Sequence, residues 1–189
     1  MALGHIGIAR SIANRTSERS EEAIQCNRFY EQARDEVLTA FPWPFATEYA
    51  ELGLVEETPN NDWTYAYRYP SDCVFARRLV TVAGRRDGNP PPFKVGQDSQ
   101  GKLIYTDEAD AVLEYTVAVT DEGRFDALFS KALSFLLGHY IAMPLSRVSG
   151  ERERCYQYFQ EAISQSKATS LNEGQQTEPL ESEFVRARE

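Results

Sequence analysis

Few side chains in this sequence have the types that bond-making chemistry uses, and their spacing decides what each can do. There are two histidines, His5 and His139, so an imidazole base or metal centre would have to be built on one of them. Neither sits in a ligand or catalytic motif. His139 falls among Leu136, Leu137, Tyr140 and Ile141, surroundings that suit a structural or surface histidine better than a catalytic one. Asp107, Glu108 and Asp110 follow one another closely, and paired carboxylates can divide the roles of general acid and base. On a chain with a formal net charge of -9 the same cluster also fits a solvated turn.

Arg77, Arg78, Arg85 and Arg86 form the densest basic stretch. They would touch phosphate or an acidic partner, or else serve as the charged trim of a strand edge and loop. Trp63, Tyr65, Tyr67 and Tyr69 alternate as base-stacking rings do, but single-strand sites also need a cationic groove. With net negative charge, core or inter-subunit packing is the better reading of that row. The same charge argues against a basic footprint for gripping nucleic acid. No Walker loop, dinucleotide fingerprint or Gly-x-Ser-x-Gly elbow occurs.

Cys26, Cys73 and Cys155 are odd in number and free of any CxxC spacing, which reads as buried thiols in a reducing compartment. The N-terminus lacks the charged start, apolar run and cleavage site of a signal peptide. No apolar run elsewhere is expected to reach across a bilayer.

These residues need elements to hold them. The opening reads as the end of a short helix and a polar connection. Ser17 or Ser20 can then cap a helix with Glu21 and Glu22 in its first turn, where the helix dipole favours negative charge. Ala23, Cys26, Tyr30, Ala33, Val37 and Ala40 recur at three- and four-residue steps and predict one buried stripe. "FPWPF" ends that helix, since Pro42 and Pro44 push Phe41 and Trp43 towards extended backbone.

From 45 to 120 the period becomes two. Ala46, Ala50, Leu52 and Leu54 share one parity, interrupted by Glu48, and "DWTYAYRYP" is the clearest strand, stopped by Pro70. Ser71 or Asp72 caps a turn, and "RRLVTVAG", "PFKVG", "GKLIYTD" and "AVLEYTVAV" read as further strands. The stretch 84–92, "GRRDGNPPP", reads as an exposed loop with a stiff polyproline end. A second helix is predicted from Asp121, with Phe125, Leu128, Phe129, Ala132, Leu133, Leu136, Leu137, Tyr140 and Ile141 on its core face. Pro144 breaks it. A third runs from Glu151 to Ala168 with Cys155, Phe159, Ala162 and Ser166 inside. Beyond Ser170 the chain is polar, with Leu180, Phe184 and Val185 as its only apolar anchors, and reads as either disordered or ordered by a partner.

The order of these pieces resembles the phage head-to-tail adaptor (connector) family, the tail tubular protein A of short-tailed phages. The residues that carry the likeness are "C..FYEQARDEVL", "FPWPFA", "W.YAYRYPSDC..ARR", "FDALFSKALSFLLGHYIAMPL" and "ERCYQYFQEAIS", together covering about residues 3–168. The most specific are W-x-F-A at Trp43 to Ala46 and Y-x-Y-P-x-D-C at Tyr67 to Cys73. The first helix is short for that family.

The resemblance implies an α+β fold: an antiparallel helical bundle (1–44 and 121–170), a small antiparallel β domain (45–120) inserted between the first long helix and the last two, and an extended C-terminal arm (171–189). It implies a non-enzymatic structural virion protein without a cofactor. Such a protein forms a ring, dodecameric in the family, between the portal protein and the tail nozzle or tail tube. DNA passes through its lumen without specific binding, and no membrane is involved. The protein would be made in the host bacterial cytoplasm and end at the head–tail junction of the virion. Trp43, Phe45, Ala46, Trp63, Tyr67, Pro70, Asp72 and Cys73 would be architectural. Leu180, Phe184, Val185, Arg186 and Arg188 would form a portal-binding arm, and Arg85, Arg86, Asp87 and Asn89 a loop facing the next tail component. The alternative from another class is a small tail-associated hydrolase using carboxylates.

Overall fold

The first long helix is set by its cap. In the computed structural model, which describes residues 1–14, 17–59, 62–81, 88–146 and 148–173, the Ser20 hydroxyl accepts the Ala23 N–H. This opens α2 (Glu21–Ala40), which follows a single turn, α1 (Ala2–His5). Ala23, Cys26, Ala33 and Val37 are buried along α2 as the stripe predicts, but Leu38 takes the inward place expected of Ala40, which is exposed. The stripe drifts because a helix turns by 3.6 residues and not 3.5. After the Pro44–Ala46 3-10 turn come β1 (Thr47–Glu51), β2 (Leu54–Glu57), β3 (Tyr65–Arg68), β4 (Cys73–Leu79), β5 (Phe93–Asp98), β6 (Gly101–Thr106) and β7 (Val112–Val117). A second 3-10 turn (Glu122–Arg124) leads into α3 (Ala127–Leu145) and α4 (Glu151–Glu173).

The fold is α+β: among the described residues there are four helices and two antiparallel sheets. One sheet has the order β1-β7-β4 and the other β2-β3-β6-β5. β1 and β2 are consecutive yet lie in different sheets, separated only by Leu52 and Gly53. β4 packs on α2, and α3 packs on α1, α2 and α4. One cluster of buried residues runs from Leu3 and Cys155 through Trp43 and Phe129 to Leu113, Tyr67 and Ile104, so helices and sheets share a core.

Several expectations give way here. Asp121 caps only the 3-10 turn, through Gly123 N–H at 2.9 Å, and Asp126 caps α3, through Phe129 N–H at 2.6 Å. The chain needs the intervening corner to bring Phe125 onto Phe129, at 4.5 Å between ring centroids. Pro144 sits in the last turn of α3, where its missing N–H costs the ladder bond to Tyr140 O, and the helix ends one residue later at Leu145, with "SRVSG" beginning at its cap Ser146. α4 continues past Ala168 to Glu173, so the expected arm boundary at 171 falls within a helix. Within the aromatic row only Tyr65 and Tyr67 belong to β3, while Trp63 and Tyr69 flank it. Leu54, expected inward, is exposed. By length and apolar composition α3 does reach the requirement for crossing a bilayer, contrary to the sequence expectation, although 50% of that window is buried inside the protein.

The junction at "FPWPF" is built on polar groups as much as on rings. The last carbonyls of a helix have no partner within it. Here Val37 O accepts from Trp43 Nε1 at 2.8 Å. Leu38 O and Phe41 O accept from Arg77 Nη2 at 2.8 and 2.9 Å, and Arg77 Nε donates to Thr116 Oγ1 at 2.8 Å. Arg77 therefore ties the end of α2 to β4 and β7, and its positive charge lies at the negative end of the helix dipole. It is no strand-edge solubiliser, as the sequence suggested; its half-buried guanidinium is committed to the joint. Arg78, just past a shift in the β4–β7 register, pairs with Glu114 at 2.8 Å.

Replacing Arg77 with Met takes the donor from Leu38 O and from the Thr116 hydroxyl, while Phe41 O keeps the Trp43 N–H, so Arg77→Met is expected to lower unfolding free energy by about 2–4 kcal/mol. Arg10→Met, at exposed pairs with Glu18 and Glu22, should cost no more than about 1 kcal/mol. Urea denaturation of both variants beside the parent chain measures the contrast, and equal losses would contradict the joint.

Candidate functional site

Residues singled out by motif converge on two places, the helix-to-sheet joint and the turn before β4. At the joint Trp43 is 1% exposed and meets Phe129 edge-on at 5.2 Å and Phe41 at 5.0 Å. Phe45 packs on Phe125 and Phe129, and Ala46 is fully buried below them. The Thr47 hydroxyl donates to Trp43 O, and Arg124 donates to Phe45 O from the 3-10 turn ahead of α3. Each motif side chain there is thus fixed from both sides.

The turn "YPSDC" is closed by Cys73 N–H on Pro70 O at 3.2 Å. Asp72 O accepts from Ala118 N–H, and its carboxylate accepts from Tyr115 Oη at 3.3 and 3.4 Å. Burial first, and then the Asp72 charge, push the Tyr115 phenol up to about 12, so it stays a donor at any physiological pH. Tyr67 Oη donates to Glu108 O at 3.0 Å. Trp63, at the mouth of β3, is half-buried. Aspartate and tyrosine here act as fasteners between strand ends.

Beside this turn a cleft of about 630 Å³ opens where the two sheets meet, lined by Leu52, Gly53, Arg68, Tyr69, Cys73 and Lys102. Its cationic groups are already engaged. Arg68 is held by Asp98 through two bonds of 3.0 Å, and Lys102 Nζ lies 5.2 Å from the centre of the Tyr69 ring. Burial pushes the Cys73 thiol up, which a bond from Tyr69 only partly offsets, so the group remains a protonated thiol and a poor nucleophile. Cys73 is half-buried and not fully buried as expected, whereas Cys26 and Cys155 are buried, and none of the three forms a disulfide.

The candidates for acid–base work are employed otherwise. Asp107 Oδ1 accepts from both Thr64 N–H, at 2.9 Å, and Thr64 Oγ1, at 2.8 Å, so it fastens the start of β3 to the end of β6, ahead of the turn that leads to β7. Glu108 and Asp110 flank the same turn, and Asp110 has φ of 49°. His139 Nδ1 lies 3.0 Å from Arg152 O, between α3 and the start of α4. Among the described residues no group of three or more His, Cys, Asp and Glu is placed to hold a metal ion. Arg85, Arg86 and Asp87 lie outside the described residues, as do Leu180, Phe184, Val185, Arg186 and Arg188; Asn89 is exposed.

His5 was missed as a structural group, and nothing in the sequence marks its partner 129 positions away. Its ring stacks on Phe135 at 4.1 Å, and Nε2 lies 3.0 Å from Ser134 Oγ. Because Ser134 gives its own proton to Lys131 O, it accepts from His5, which sets the neutral ring as the Nε2–H tautomer. Burial, the N-terminal ammonium and Arg154 all lower the pKa of His5. The Arg154 guanidinium also donates to His5 O and pairs with Glu151. Gly138 lets these elements close up, since a Cβ there would sit 3.1 Å from Cys155 Sγ and 3.6 Å from Ala2 O.

No protein-family model matches the chain, and no curated protein matches it either.

The His5 shift has a sign that experiment can read. With the folded-state pKa below the unfolded value near 6.5, the unfolded chain takes up the proton first. The neutral-ring contribution is therefore full at neutral pH and is lost as pH falls below about 6.5. Melting temperature is expected to drop between pH 7 and 5 more steeply for the parent than for His5→Gln. Superimposable profiles would show that α1 docking does not depend on this ring.

Proposed function

We propose that the chain is a head-to-tail adaptor, a structural virion protein that forms a ring, dodecameric by family likeness, between the portal and the tail nozzle or tube. The observation that carries this reading is the use made of the motif residues. Trp43, Phe45, Tyr67 and Asp72 each bind backbone or rings at a joint between elements, as an architectural role requires. The order of elements also supports it: every described strand falls between α2 and α3, which suits the reading of a β domain (45–120) inserted into a helical bundle (1–44 and 121–170).

In this reading 174–189, beyond the end of α4, supplies the arm that docks on the assembled portal. A segment that folds on binding loses entropy, and a preformed partner offsets that loss, which makes the portal the trigger for assembly. The loop at 84–92 faces the next tail component. The chain's charge of -9 multiplies around the ring, and a negative lumen repels DNA phosphates so that the genome slides through without sticking. Function is exercised in the virion, after synthesis in the host cytoplasm.

A truncated chain lacking 174–189 is expected to keep the parent melting temperature and to lose co-elution with its purified portal ring. Size-exclusion chromatography with light scattering gives both the complex and its stoichiometry. Full binding by the truncated chain would remove the arm from the mechanism, and a parent chain that ignores the portal would remove the adaptor reading.

A further inference from the structure

The four-stranded sheet ends in two strands, β2 and β5, whose outer edges have no neighbour among the described residues. An open edge presents a row of unpaired N–H and C=O groups and is a template for another strand. The registers across this sheet link the two edges row by row. Leu54 pairs with Tyr67, Tyr67 with Ile104 and Ile104 with Val95. One row along, Glu56 pairs with Ala66, Ala66 with Tyr105 and Tyr105 with Lys94. Directly paired residues in a sheet share a face. Glu56 and Lys94 therefore lie on one face at opposite edges, and Leu54 and Val95 lie on the other.

We infer that the β5 edge of one copy pairs with the β2 edge of a second copy, antiparallel and in the register that continues these rows. Lys94 then lies beside Glu56 of the neighbour, and Val95 beside its Leu54. Both apolar residues belong to the row that contains the buried Tyr67 and Ile104, yet they are 51% and 44% exposed. The inner face of the sheet runs uncovered to both edges, and a neighbouring copy would extend the apolar layer across the seam.

Strand count and charge select this pairing over others. Strand direction alternates along four antiparallel strands, so β2 and β5 run oppositely and a copy added edge to edge keeps the alternation. The three-stranded sheet cannot do this, because its edges β1 and β4 run the same way, and β4 is broken by two register shifts. Pairing β2 with β2 sets Glu56 and Glu57 against the same residues, and pairing β5 with β5 brings Lys94 towards Lys94. Only the unlike edges attract. Joining unlike patches is a head-to-tail contact, which builds rings when the rotation closes. This deepens the proposed adaptor ring and rests on that reading for closure alone; the edge contact is a property of the chain by itself.

Zero-length cross-linking by a water-soluble carbodiimide tests it on the full chain without any portal. Within one copy Lys94 and Glu56 are three strand spacings apart, about 14 Å, beyond the reach of a direct amide bond. Any Lys94–Glu56 isopeptide found by peptide mass spectrometry is therefore intermolecular. At about millimolar chain that link is expected in the oligomer bands. Lys94→Glu and Glu56→Lys should each cut oligomer yield about ten-fold, and mixing the two variants should restore it by recreating the attractive pair. The rescue separates a lost contact from a lost fold. Oligomers linked elsewhere, a chain that stays monomeric at that concentration, or a mixture without rescue would overturn the inference. A link that forms in a chain the portal does not capture would uphold the edge contact while the adaptor reading falls.

Discussion

The constraint on which the rest of this structure depends is the unsatisfied C-terminal end of α2. A helix that stops inside a protein exposes carbonyls that water cannot reach, and each must find a donor. Here the donors come from the indole of Trp43, six residues from Val37, and from the guanidinium of Arg77, on β4, where the chain returns to the first sheet. The local partner fixes how the chain leaves the helix. The distant one fixes where the three-stranded sheet must lie, because Arg77 also holds Thr116 on the central strand β7.

Once that sheet is placed, the remaining polar groups fall into line. Thr116 is fully buried, and its hydroxyl has the Arg77 bond to satisfy it. Arg78, one residue along, pairs with Glu114. Tyr115 reaches back to Asp72 at the start of β4. Along β7 the tasks divide by the strand's period of two: Glu114 and Thr116 on one side take the two arginines, and Tyr115 on the other takes Asp72. Trp43, Phe45, Phe125 and Phe129 fill the space this arrangement encloses, with edge-on contacts that orient as well as fill.

The chemistry available at the surface follows from the same economy of partners. Asp107 is occupied by Thr64, Arg68 by Asp98 and Lys102 by the Tyr69 ring. What remains exposed is of another kind: apolar residues on strand edges, Leu54 and Val95, bordered by charges of opposite sign. Such features suit contact between macromolecules better than catalysis.

Much of this was legible along the chain. The stripe Ala23, Cys26, Ala33, Val37, the core face of α3 and the stop at Pro42 are local consequences of helical period and of proline's missing N–H, which any short window of sequence contains. The alternation at Tyr65 and Tyr67 announced a strand in the same way. The sequence could not show that Asp126 and not Asp121 would cap α3, since both are competent caps and the choice depends on seating Phe125 against Phe129. Nor could it separate Arg77 from Arg78. Identical neighbours in a basic stretch differ because the β4–β7 register shifts between Ala76 and Arg78, setting one beside the end of α2 and the other beside Glu114. His5 and Ser134 belong to the same class, a pair 129 positions apart whose contact exists only after α1 docks on α3. Sequence by itself determined which segments would be helix, strand or turn, because period, caps and prolines act over a few residues. Tertiary structure alone decided which polar groups meet, because a hydrogen bond or ion pair is set by distance in space, and that distance is fixed only when the whole core closes.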